Sequence, residues 1–199
     1  MSNGAEHANH RTKDTETEGY RPDRLPQTLR LIQRAGTVEA SFRFGSGAVP
    51  DTVVPRGGFR AVGLRWEGTF AEAGQGAIRP LQAQMIARIG EVSDAIEADT
   101  LVCVSFTREG GFVHYIAVQV REDAPVPEGM HDFSLETANY LYCRKGETDA
   151  VEDVYAHAFS LMGERGFAHD RGIHVELHSR GWLADRPYAM DIYLPVVPL

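Results

Sequence analysis

Apolar and polar residues alternate strictly from Ile173 to His178, which puts Ile173, Val175 and Leu177 on one face and His174, Glu176 and His178 on the other. Period two is the mark of a half-buried strand. Phe59 to Trp66, Leu101 to Phe106, Phe112 to Val120, and Tyr188 to Val196 carry similar short runs. Met130 to Arg144 is read as a further strand, interrupted around Glu136 to Asn139. Between these runs the period changes. Ile78, Leu81, Met85, Ile89, Val92 and Ile96 recur at spacings of three and four, with Pro80 near the start, so an amphipathic helix is expected there. A second helix is expected to follow Thr148 as its N-cap, to turn Val151, Val154, Tyr155, Ala158, Leu161 and Met162 inward, and to end at Gly166.

The elements run strand, helix, hairpin, and then strand, helix, hairpin again. This predicts the α+β class: a duplicated βαββ unit forming one antiparallel sheet, two helices on one face and a concave ligand cleft on the other. Parity, carried from strand to strand, collects Tyr115, Tyr140, Tyr142, Tyr193 and Glu176 on the concave face, with Asp191, His174 and His178 around them. Trp66 and Phe70 are expected to close one end. Cys143 and His114 are expected on the core side.

Before the sheet, residues 1–24 are polar and of mixed charge, and cannot recover ordering entropy by burial, so a disordered tail is expected. Residues 25–51 read as a peripheral segment and 52–199 as the folded domain. No stretch of about 20 apolar residues is present to span a bilayer, and no apolar signal region opens the chain. Cys103 and Cys143 read as reduced core thiols, and a cytoplasmic location is expected. A net charge of -8 and the lack of any basic stripe argue against nucleic acid as a partner.

No cofactor motif emerges. Gly74-Gln-Gly76 lacks the third glycine of a dinucleotide loop and reads as a flexible connection or lid. His174, Glu176 and His178 are ligand types, but residues four apart on a strand are roughly 13 Å apart at the backbone, so no metal site is expected.

The chain resembles the GyrI-like small-molecule-binding family, which includes effector-binding domains of multidrug-responsive transcription regulators. The resemblance is carried by Phe-Arg-Ala-Val-Gly at 59–63, Leu-Glu-Thr-Ala-Asn-Tyr at 135–140 with Gly146 following, Glu176, and Ile-Tyr-Leu-Pro-Val at 192–196. It implies a cleft with aromatic walls and an acid that recognises lipophilic cations, with Glu176 in the acid's place and Tyr140, Tyr142 and Tyr193 at wall positions. His178 stands where many members have tyrosine. No winged-helix module fits before Thr52, which suggests a stand-alone binding domain for sensing, sequestration or resistance.

The expected ligand-binding set is therefore Trp66, Phe70, Tyr115, Tyr140, Tyr142, Glu176 and Tyr193. Two alternatives stay open. Some similar stand-alone proteins hydrolyse cyclopropane-bearing genotoxins, and on that reading Glu176, Tyr142 and His178 are catalytic, with a raised Glu176 pKa to move a proton. The other is a protein-interaction inhibitor of the gyrase-inhibitor type, with a protein partner or homodimer.

Overall fold

The computed structural model describes residues 50–182 and 186–199. The expected disordered tail and nearly all of the expected peripheral segment lie outside the described residues.

Strand β1 (Thr52–Arg56) is followed by β2 (Phe59–Gly68), a short helix α1 (Phe70–Gly74), helix α2 (Arg79–Arg88) and the hairpin of β3 (Thr100–Arg108) and β4 (Gly111–Val120). Then come β5 (His131–Leu135), β6 (Ala138–Lys145), helix α3 (Val151–Glu164), the short β7 (Phe167–His169), β8 (Ile173–Ser179) and β9 (Met190–Pro198). The sheet runs β1-β6-β9-β8-β3-β4-β2-β5, with β7 paired to β9, and every pairing is antiparallel. The β3–β8 pairing, seven residue pairs from Thr100↔Ser179 to Phe106↔Ile173, lies at the centre.

Several boundaries differ from the sequence reading. The Met130–Arg144 run is two strands, because Glu136 and Thr137 leave the ladder between β5 on β2 and β6 on β9. The stretch read as a flexible connection contains α1, held by a capping box in which the Thr69 hydroxyl accepts from Glu72 N and the Glu72 carboxylate accepts from Thr69 N. Helix α2 tightens into one 3-10 turn at Ile89–Glu91, and Asp94 at φ 59° then turns the chain away. Ile96 is consequently 43% exposed and not part of the helix face. Ala150, not Thr148, is the N-cap of α3.

Three apolar clusters hold the fold. One joins α2 to the sheet through Met85 and Ile89 against Val62, Leu64, Cys103 and Ile116. A second joins α3 through Ala158 and Met162 to Leu141, Cys143, Met190 and Ile192. The third, with Val102, Val104, Val175, Leu177, Tyr140, Tyr142 and Tyr193, lies on the other side of the sheet. Both sheet faces are thus buried, and β9 is buried at every position from Met190 to Val196.

Candidate functional site: a carboxylate between two helices

The register decides which side chains Glu176 meets. Residues directly opposite in antiparallel strands project to the same face. Glu176 stands opposite Cys103 on β3 and Ile192 on β9, Cys103 opposite Ile116, and Ile192 opposite Cys143. This row crosses the sheet from the α2 cluster to the α3 cluster, so both helices cover the face that carries Glu176. Glu176 sits between them as the polar member of an apolar row. An adjacent row on the same face contains Trp66, His114, Ser105 and His174.

The expected grouping of Glu176 with the tyrosines on a helix-free face is therefore corrected. Tyr193 stands opposite Val175 and Tyr142, which places Tyr142 and Tyr193 on the reverse of the sheet, where their rings stack at 4.9 Å. Tyr140 packs edge-on against Tyr193 there, and Tyr115 packs with Phe106 and Phe133. Asp191 also belongs to that side: it is fully buried and accepts hydrogen bonds from the Tyr142 hydroxyl (2.9 Å) and Arg144 (3.0 Å). The physical reason is that alternation within each strand holds, but which side of β8 is aliphatic does not fix its phase relative to the helices. With apolar clusters on both faces, aliphatic parity does not identify the helix side.

Two donors hold Glu176. The Tyr155 hydroxyl, from α3, donates to Oε1 at 2.6 Å, and His178 Nε2, two residues along β8, meets Oε2 at 3.2 Å. The Glu176 side chain keeps 23% of its surface exposed whereas His178 keeps 1%. Burial is the largest influence on the Glu176 carboxyl and pushes its pKa up. The hydrogen bond and charge of His178, the Tyr155 hydroxyl and His114 outweigh it together, and hold the carboxyl well below the usual range. Burial first, and then the Glu176 charge, push the Tyr155 phenol well above its ordinary value. Cys103, across from Glu176, is pushed up by the same two causes. Burial drives His114 and His174 down to about 4. The raised Glu176 pKa expected for a proton-transfer role is thus opposite to what the geometry produces.

Aromatic rings enclose the pair. Trp182 stacks on His178 at 3.7 Å and 22°, and Tyr188 lies 5.7 Å from His178 and 5.6 Å from Trp182. Gln82 Nε2 on α2 donates to the Trp182 carbonyl at 2.7 Å, which ties the turn after β8 to that helix. Lys145 Nζ donates to the Tyr188 and Gly146 carbonyls and lies 4.2 Å from the centre of the Tyr188 ring. At the outer end of the same face, Phe112 packs against Trp66 at 5.2 Å and Phe70 at 5.0 Å. His114 Nδ1 is 2.8 Å from the Ser105 hydroxyl.

Of the residues expected from sequence, Glu176, His178 and Trp66 therefore share a face, with Phe70 packed at its outer end, while Tyr115, Tyr140, Tyr142 and Tyr193 occupy the reverse. Tyr155, Trp182 and Tyr188 were not anticipated. Tyr155 had a legible signal: it is the one hydroxyl-bearing side chain in the inward stripe of α3, and a buried tyrosine hydroxyl needs a partner. Among the described residues, no cluster of three or more His, Cys, Asp or Glu is placed to hold a metal ion, and no helix is long and apolar enough to cross a membrane.

Comparison with known proteins is consistent with this architecture. Over 150 residues the chain is 28% identical to the transcriptional regulator BrlR of Pseudomonas aeruginosa, a match covering 72% of this chain and 54% of BrlR. The chain thus spans about half the length of that relative. The structure of SAV2435 bound to tetraphenylphosphonium shares the fold, with a TM-score of 0.54 and 15% identity over 73% of this chain and 93% of the other. The C-terminal domain of EcmrR does so too, with a TM-score of 0.54 and 11% identity over 74% of this chain and 97% of that domain. Residues 52–197 match the GyrI-like small molecule binding domain, and the chain belongs to that family.

Proposed function

We propose that this domain binds a hydrophobic cation at Glu176, in a cleft between α2 and α3 on the helix-bearing face of the sheet. The observation that carries this reading is a partly exposed carboxylate held by the Tyr155 hydroxyl and His178, with Trp182 and Tyr188 packed on that histidine. An anion in a largely apolar setting loses hydration that a cation restores, and each aromatic face adds about 0.5–2 kcal/mol. SAV2435, which shares the fold, was solved with tetraphenylphosphonium, a cation of this class.

The runs β2-α2-β3-β4 and β6-α3-β8-β9 read as the two halves of a duplication, joined through β3 and β8. Glu176 then sits at the seam between the halves. The role that fits is capture of the ligand for sensing, sequestration or resistance. A hydrolytic role has less support, because a general base works best with a pKa near the operating pH, and Glu176 lies well below it.

Titration with tetraphenylphosphonium by calorimetry tests the proposal on wild type and Glu176→Gln. Saturable binding weakened by at least about tenfold in the variant, or ~1.4 kcal/mol, is expected. Equal affinity in the two proteins would remove Glu176 from the site.

A further inference from the structure

The apolar row that holds Glu176 is flanked on one side by a polar row. Trp66, His114, Ser105 and His174 stand opposite one another across β2, β4, β3 and β8, on the same face as Glu176. His174 is two residues from Glu176 along β8, so the two rows lie about 7 Å apart, at ~3.4 Å per residue. Trp66, Ser105 and His174 are half-buried and His114 is buried. An exposed ring stands at each end. Phe159 on α3 lies 6.2 Å from His174 and is 43% exposed, and Phe70, 60% exposed, packs at 5.0 Å on Phe112 beside Trp66.

Hydrogen-bonding capacity is left over in this row. Burial drives His114 and His174 down to about 4, so both rings are neutral at pH 7, each with one donor and one acceptor nitrogen. Ser105 Oγ and His114 Nδ1 meet at 2.8 Å, and among the described residues this is the one side-chain hydrogen bond of the row. Whichever atom supplies the shared hydrogen, the pair keeps one donor and one acceptor for a further partner. Those are Nε2–H with the serine oxygen, or the serine hydroxyl with Nε2. Covering such groups with an apolar ligand leaves them unpaired, which costs free energy.

We infer that this row selects, among hydrophobic cations, those that carry an uncharged hydrogen-bonding group, such as a hydroxyl or an amide, about 7 Å from the charge. The inference rests on the reading of Glu176 as the cation site. The two rows then divide recognition: Glu176 takes the charge, and His174 with the Ser105–His114 pair takes the polar group. The row on the other side of Glu176 offers no such strip. There the fully buried Leu101 stands opposite His178, and His178 is already engaged with Glu176. A ligand that carries both groups therefore has one favoured direction in the cleft, with its polar end over Ser105.

The test compares two probes by calorimetric titration: tetraphenylphosphonium with a para-hydroxymethyl or a para-ethyl group on one ring. The two have nearly the same shape and the same charge, neither titrates, and the hydroxyl oxygen stands about 7 Å from phosphorus, matching the row spacing. Wild type is expected to bind the hydroxymethyl probe about two- to tenfold more tightly, the range of one neutral hydrogen bond. A purely apolar cleft would favour the ethyl probe. Ser105→Ala and His174→Phe should each shrink the preference, whereas Glu176→Gln should weaken both probes and leave the preference standing. The wild-type comparison needs no variant to fold. An ethyl probe that binds wild type as tightly as the hydroxymethyl probe, or a preference that survives in both Ser105→Ala and His174→Phe, would overturn the inference while leaving Glu176 as the cation site. Absence of binding by both probes to wild type would overturn the site itself, and the inference with it.

Discussion

The Tyr155 hydroxyl on α3 donates to Glu176 Oε1 on β8 at 2.6 Å, so a helix and the central pair of strands meet at one charge-assisted hydrogen bond. Tyr155→Phe keeps the ring and removes the donor. The variant should lose about 1.5–3 kcal/mol of stability at pH 7 in urea unfolding, the usual range for a hydrogen bond to a charged group. It should also weaken cation binding, because Glu176 loses one of the two contacts that fix its position.

The pH dependence of stability carries the same signature. The folded-state pKa of Glu176 lies below its ordinary value of 4.5, so its stabilisation is present above the unfolded value and is lost as pH falls through the folded one. Urea unfolding of wild type and Glu176→Gln, run between pH ~5 and pH ~3, should give a difference that shrinks as the pH falls. A difference that grows toward acid would mean that burial dominates and that the carboxyl is held up.

The two faces of the sheet should separate in their effects. Tyr142→Phe removes the hydrogen bond to the fully buried Asp191 and should cost about 1–3 kcal/mol of stability. Tetraphenylphosphonium affinity should stay within about twofold of wild type, since Tyr142 lies across the sheet from Glu176 and distant sites act independently. Calorimetric titration of this variant beside Tyr155→Phe tells the faces apart.

Gly63 tests the sheet that supports the site. It pairs with Ala117 on β4, and a Cβ placed on it would run into the Ile116 carbonyl oxygen and the Ala117 backbone and methyl group. Gly63→Val should destabilise by at least about 1–3 kcal/mol, the cost of overpacking, and lower the unfolding midpoint. Gly74→Ala is the control, since nothing lies within 4 Å of the added methyl group.

The alternation in β8, the helical stripes around Met85 and Ala158, and the hairpin of β3 and β4 could all be read from residue spacing, because each is set by local periodicity. That Glu176 would be held by partners could be read as well, since a lone carboxylate in a half-buried strand needs them. The phase between strands could not. It depends on register, such as Cys103 opposite Glu176, which spacing within one strand does not encode. Trp182 and Tyr188 escaped for a related reason. They flank the β8–β9 connection, and only the folded chain stacks Trp182 on His178. The split of Met130–Arg144 into β5 and β6 was partly legible at Glu136, but their destinations on opposite halves of the sheet were not.

A crystal structure of the domain with tetraphenylphosphonium would show which face of the sheet takes the cation. The cation is expected between α2 and α3, with a phenyl ring against Trp182 or Tyr188 and the phosphonium centre within about 6 Å of a Tyr155 or Tyr188 ring face, beside Glu176. A cation seated instead against Tyr140, Tyr142 and Tyr193, on the reverse of the sheet, would contradict this placement.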